Sequence, residues 1–152
     1  MEVIDSTKQQ LSLQEVIVRA VNNFKDKMDV PVANALLIIM EELKLPNSEA
    51  LQLGNTVFVT HYDERKTCAV MRTLNVDTAT NVIKNGEIYI RRLLQFGVEE
   101  LVVTYNQKSL EIFFKEIEKR KIGTFKVKKF KDDYYVAVIK MPIAKKYRGK
   151  NI

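Results

Sequence analysis

The only histidine, His61, and the only cysteine, Cys68, flank a polar turn in a stretch of β-forming residues. If Tyr62 pairs with Thr67 across Asp63-Glu-Arg-Lys66, the two stand opposite each other on one sheet face. Opposed β-carbons lie about 4.5 to 5.5 Å apart, near enough for an imidazole to activate a thiol as a nucleophile. The ordinary reading is a small packing residue between Thr67 and Ala69, and no oxyanion-stabilising motif accompanies the pair. One histidine and one cysteine leave no metal-ligand spacing and no internal disulfide framework. The expectation is therefore no metal.

Two acidic pairs, Asp63-Glu64 and Asp132-Asp133, sit in turns, where acidic residues are common for backbone reasons. Lys84, Arg91 and Arg92 could meet phosphates or an acidic partner, but Ile90, Leu93 and Leu94 already account for a buried side of that helix, which makes the cations its solvated side. Lys115 to Lys121 alternates in sign at helical spacing and reads as an exposed, salt-bridged face. Lys126, Lys128, Lys129 and Lys131 interleave with Phe125, Phe130, Tyr134 and Tyr135. Basic and aromatic residues on strands can form a platform for single-stranded nucleic acid, while lysines on an edge hairpin also guard against aggregation. Lys145, Lys146, Arg148 and Lys150 follow Pro142 with no acid among them and carry most of the net charge of +6. Such a tail could touch nucleic acid or an acidic partner, although the ordinary expectation is a solvated, poorly ordered end.

These residues need elements to hold them. Ser12-Leu-Gln-Glu15 is a capping box, so a helix begins there, with Leu13, Val16, Ile17, Ala20, Val21 and Phe24 on its buried stripe. A second helix starts at Asp29 and Pro31 and ends before Pro46, with Val32, Ala35, Leu36, Ile39, Met40 and Leu43 inward. Leu37 and Ile38 widen that face and predict cover on more than one side. From Thr56 the period changes to two, and Thr56 to Tyr62 with Thr67 to Leu74 reads as a hairpin. A third helix spans Thr78 to Phe96, weakened at Gly86 and stopped by Gly97. Strand Glu99 to Tyr105, a helix from Asn106 to about Lys121 with Leu110, Phe113, Phe114 and Ile117 inward, and a hairpin of Thr124 to Phe130 with Tyr134 to Met141 complete the order. A strand, crossover helix, strand unit between hairpins predicts a mixed sheet, and so a single-domain α/β (α+β) fold flanked by helices.

Length fits one domain, here 152 residues with 46% hydrophobic and 29% charged. Residues 1–10 read as a flexible N-terminus because Ser6-Thr-Lys-Gln-Gln10 has no apolar anchor, 11–141 as the domain, and 142–152 as a basic tail. The longest apolar run, Ala35 to Met40, is far too short to cross a bilayer, and Met1-Glu-Val-Ile-Asp5 lacks a basic flank and an apolar signal core. Folding in the cytoplasm is expected.

The segment after Glu99 carries a further pattern, Asn106, Ser109, Ile112 and Phe113 spaced as N-x-x-S-x-x-I-F. With the order of elements over roughly residues 11 to 141, it resembles the GNAT acyltransferase superfamily. That resemblance implies a GNAT-like fold in which two helices precede a hairpin and a crossover helix receives the phosphates of coenzyme A. In the family a Q/R-x-x-G-x-G/A loop offers backbone amides there. The stretch here is Asp77-Thr-Ala-Thr-Asn-Val-Ile-Lys-Asn-Gly86, with no such glycine pair and with Asp77 adding negative charge. The family's frequent acid, a tyrosine on the following helix, falls on Phe113, which has no proton to give. The resemblance extends to GNAT-like structural or internal virion proteins of short-tailed phages. It implies a non-catalytic structural or assembly protein without a cofactor, whose partners are other virion proteins or itself. The alternative it implies is a divergent acyl-CoA-dependent N-acyltransferase that holds acetyl-CoA at Thr78, Ala79, Thr80, Asn81, Val82 and Asn106.

Overall fold

Thr56–Tyr62 is apolar on both faces, because Val57 and Val59 alternate with Phe58 and with Thr60 and Tyr62. Such a strand must be covered on both sides. In the computed structural model, which describes residues 10–23, 25–27, 30–105, 108–131 and 134–151, it lies between two neighbours in a six-stranded mixed sheet. The strands are β1 (Ser48–Leu53), β2 (Thr56–Tyr62), β3 (Cys68–Asn75), β4 (Glu100–Tyr105), β5 (Thr124–Lys131) and β6 (Tyr134–Lys140), in the order β1-β2-β3-β4-β6-β5. Four helices flank it, α1 (Leu13–Asn23), α2 (Val32–Glu42), α3 (Ala79–Phe96) and α4 (Glu111–Lys119), giving a single-domain α+β fold.

Only β3 and β4 pair in parallel, and α3 makes the crossover that a parallel pair requires. β4 and β5 are also parallel in direction, separated by β6 and joined through α4. Both crossovers step the same way across the sheet, so right-handed connection sets α3 and α4 on one face. Val82, Tyr89, Leu93 and Leu94 of α3 accordingly share one core with Phe113, Phe114 and Ile117 of α4 and with Met71, Leu101, Val103, Ala137 and Ile139 of the sheet. On the other face α1 and α2 close a smaller core with Val57 and Val59 through Val16, Ile17, Val21 and Ile39.

β1 escapes a reading based on β-branched residues, since Ser-Glu-Ala-Leu-Gln-Leu contains none. The signal for it is the dipeptide Gly54-Asn55, a two-residue hairpin loop closed by the Leu53–Thr56 pair. Gly54 takes φ +59°, the left-handed conformation such a loop needs.

Local rules hold at several ends. Ser12 Oγ accepts from Glu15 N–H at 3.2 Å and donates to the Glu15 carboxylate at 3.1 Å. Thr78 caps α3 by accepting from Asn81 N–H, and Gly97 ends it. Leu110, Phe113, Phe114 and Ile117 are buried as their spacing predicts. Phe24, Asp29 and Asp132-Asp133 lie outside the described residues.

Two expectations are corrected. Leu37, Ile38 and Met40 of α2 are 63%, 49% and 40% exposed, because among the described residues the helix packs through Val32, Ala35, Leu36 and Ile39, with Leu43 at its end, and Met40 does not face inward as its spacing predicts. The segment after Met141 is not a solvated tail. Pro142–Lys146 forms a 3₁₀ turn with Ala144 fully buried, and Gly149 N–H donates to Gln95 O at 2.6 Å. The Arg148 guanidinium lies against Gly97 at the C-terminus of α3, where the helix dipole favours a cation. Among the described residues no helix is long and apolar enough to cross a membrane.

Candidate functional site

In an open α/β sheet the crevice for a ligand lies at the carboxyl ends of the parallel strands, where chain connections diverge. Here that place is bounded by the ends of β3 and β4 and by the start of α3. The parallel register runs from Cys68–Glu100 to Arg72–Thr104, and among the described residues Thr73 to Asn75 have no partner on the β4 side. Tyr105, the next residue of β4, is only 4% exposed, and its hydroxyl has no hydrogen-bond partner among the described residues. Burial pushes its pKa up, and the Glu111 carboxylate nearby adds to the shift.

The α3 start is occupied by the chain's own groups. Thr78 Oγ1 takes the amide of Asn81, one of the donors an anion would otherwise use. Asp77 turns back to the β1–β2 loop, its Oδ2 accepting from Asn55 N–H and from the Thr56 hydroxyl, both at 2.9 Å. Thr80 and Asn81 are exposed, whereas the Val82 side chain is 2% exposed in the core, so only its backbone faces this end. Ala79 is the first residue of α3, and Asn106 lies outside the described residues.

Between α3 and α4 the gap is closed. Phe113 packs on Gly86, where a Cβ would lie 3.3 Å from the ring. Absence of a side chain at Gly86 is what lets the helices approach so closely.

A second polar cluster joins β1 to α3 and was not foreseen from sequence. Glu49 accepts from Tyr89 Oη at 3.0 Å, from Tyr62 Oη at 3.3 Å, and from Arg92 Nη2 at 2.6 Å and Nε at 3.0 Å. Tyr89 Oη also meets Thr60 Oγ1 at 2.5 Å, and its ring stacks on Phe58 at 4.5 Å. Burial alone would raise the Glu49 pKa, but Arg92 and the two tyrosines together hold it below the ordinary carboxylate range. Burial pushes Tyr62 up to about 12, and pushes Tyr89 higher still. With both carboxylate oxygens accepting hydrogen bonds from within the chain, the cluster fixes α3 to an edge strand. Arg92 is thus an ion-pair partner and not part of a solvated side, while Lys84 and Arg91 are exposed as expected. Only knowledge that β1 exists could have paired Glu49 with Arg92.

The His61–Cys68 pairing is not formed. Asp63 accepts from Cys68 N–H at 3.0 Å, from Thr67 N–H at 2.7 Å and from Thr67 Oγ1 at 2.8 Å, and these bonds hold its carboxyl below its usual range, the Cys68 amide contributing most. They keep Thr67 in the turn, so pairing begins at Tyr62–Ala69 and His61 faces Val70. His61 Nε2 instead lies 3.7 Å from Glu42 Oε2, whose other oxygen accepts from Arg72 at 3.1 Å.

The basic residues are divided among elements. Lys126 and Lys128 project from one face of β5, whereas Lys129 is in register with Tyr135 of the other face. Lys145 pairs with Glu99 at 3.6 Å, Arg148 sits at the end of α3, and Lys146 and Lys150 are exposed. Among the described residues no group of three His, Cys, Asp or Glu side chains comes together as a metal site.

Fold and site define a single-domain α+β protein in which the side chain of Thr78 caps the start of α3, at the carboxyl end of the parallel strand pair. No family model matches the sequence, and no curated protein or solved structure is similar to it.

Proposed function

We propose that this chain is a non-catalytic, GNAT-like module that acts through protein contacts as a structural or assembly component, of the kind that short-tailed phage particles carry. The order of elements and the lone parallel pair spanned by α3 support the GNAT-like reading. The observation that carries the non-catalytic part is the α3 start. Its capping amide is taken by Thr78, and Asp77 holds a carboxylate beside it, where a pyrophosphate would need free amides and no negative charge. Phe113 against Gly86 adds to this, since it offers neither a proton nor a gap.

The test is thermal unfolding with acetyl-coenzyme A up to millimolar concentration. A ligand that binds only the native state raises the melting temperature progressively with its concentration. Unchanged melting is expected, and a saturable rise overturns the reading.

One observation favours a divergent acyl-CoA-dependent N-acyltransferase instead. The Tyr105 hydroxyl, without a hydrogen-bond partner among the described residues, is a buried donor at the carboxyl end of β4, where a bound thioester would approach. In that reading the amides of Thr78 to Val82 hold the cofactor, and the same titration decides between the two.

A further inference from the structure

Among the described residues, strands β4, β6 and β5 are covered by helices on one face only, and β3 meets α1 on the other face. On the other face Val70, Val102, Val138 and Lys126 form one row across the sheet, and Arg72, Thr104, Val136 and Lys128 form the next. Leu101, Val103, Ala137 and Ile139, which alternate with these valines, are at most 2% exposed. Val70 is 48% exposed, and Val102, Val136 and Val138 are half-buried. The core under α1 and α2 ends at β3 and includes no residue of β4, β5 or β6. Contiguous β-branched residues that stay partly accessible to water on a rigid sheet differ from scattered surface apolar groups and mark an interaction face.

The charge on this face is not symmetric. Lys126 and Lys128 are exposed and make no ion pair among the described residues, Lys128 resting only over the Phe130 ring at 5.1 Å. Phe130 and Tyr134 stand at the same end with their rings 6.2 Å apart. At the other end Glu100 and Lys140 are direct cross-strand partners and offset each other.

We propose that this face docks an acidic amphipathic helix of a partner protein, its apolar stripe on the valines and its carboxylates at Lys126 and Lys128. The helix α1 already lies on the adjoining strands β2 and β3, so a second helix beside it extends an existing layer. A second copy of this chain fits less well. Its net charge of +6 opposes self-association, and the outward carboxylate of its own exposed apolar helix, Glu41, is paired with Lys44. Single-stranded nucleic acid needs a run of stacking rings, and this face offers only Phe130 and Tyr134 at one end, its rows being valines. The inference rests on the reading of the chain as a protein-contact module and names its contact surface.

The probe is a synthetic amphipathic helix with leucines along one face and glutamates beside them, and a counterpart with lysines in place of the glutamates. Amide and methyl shifts of the isotope-labelled full chain locate binding, and fluorescence anisotropy measures it. The acidic peptide is expected to bind at least about tenfold more tightly than the basic one, a difference near 1.4 kcal/mol. Its affinity should fall with salt, and its shifts should map to the valine rows. Val138→Glu should abolish binding with the circular dichroism spectrum unchanged. Lys126→Glu combined with Lys128→Glu, both at exposed sites, should reverse the preference between peptides. Equal or absent binding of the two peptides, or shifts on α2, overturns the proposal. So does a dimer that Val138→Glu dissociates, or tighter binding of an oligothymidylate at the same face. Stabilisation by acetyl-coenzyme A together with acidic-peptide binding would sink the non-catalytic reading and leave this surface standing.

Discussion

The Phe113 ring of α4 lies directly on the bare Cα of Gly86 in α3, and this contact closes the space between the two crossover helices. Phe113→Ala should therefore leave a cavity between α3 and α4 and cost about 3 to 5 kcal/mol, measured by urea unfolding. Gly86→Val should cost about 2 kcal/mol by overpacking the same contact. Gly86→Ala should come near neutral, because the gain in helix propensity, about 1 kcal/mol, opposes a contact only slightly too short. A large gain from Gly86→Ala would show that the helices are not held this close.

Glu49 contributes a defined acid limb to stability. Its folded pKa lies below the ordinary value of 4.5, so near that pH the unfolded chain binds more protons than the folded one. Its contribution is therefore present above the unfolded pKa and is lost as pH falls through the lower, folded pKa. Glu49→Gln should reduce stability at neutral pH by about 2 kcal/mol, since Arg92 loses a charged partner, and should flatten the fall in melting temperature below pH 4.5. An unchanged acid limb in the variant would assign that limb to other carboxylates.

Two tyrosine hydroxyls make opposite predictions. Tyr89 is hydrogen-bonded to Thr60 and Glu49, so Tyr89→Phe should destabilise by about 1 to 2 kcal/mol. The Tyr105 hydroxyl is buried without a partner among the described residues, so Tyr105→Phe should be neutral or should stabilise by about 1 kcal/mol. Equilibrium unfolding of both variants checks the contrast, and a costly Tyr105→Phe would reveal a partner for that hydroxyl.

The C-terminal segment should behave as part of the fold. Ala144 is fully buried, and Ala144→Asp places an unpaired carboxylate there at a cost of about 3 kcal/mol or more. Lys146→Ala, at an exposed position, should change stability by less than about 0.5 kcal/mol. Equal, small effects of both substitutions on thermal melting would return this segment to solvent.

Local chemistry made much of this architecture readable. Thr78 and Gly97 bound α3 because a hydroxyl and a missing Cβ solve the unpaired ends of a helix wherever that helix later packs. The buried stripe of α4 and the two-residue period of β2 likewise follow from spacing. β1 stayed hidden because neither propensity nor a branched side chain marks it, and its stability comes from pairing with β2.

Sequence alone therefore determined the types of most elements, several of their ends and the mixed character of the sheet, since caps, turns and periodicity act between residues a few positions apart. Tertiary structure alone decided that Arg92 meets Glu49, that His61 misses Cys68, that the basic end docks on α3, and that no helix among the described residues covers the valine rows of β4 and β6. These depend on register and on which helix lies over which strand. A shift of one or two residues changes such long-range contacts while leaving every local preference satisfied.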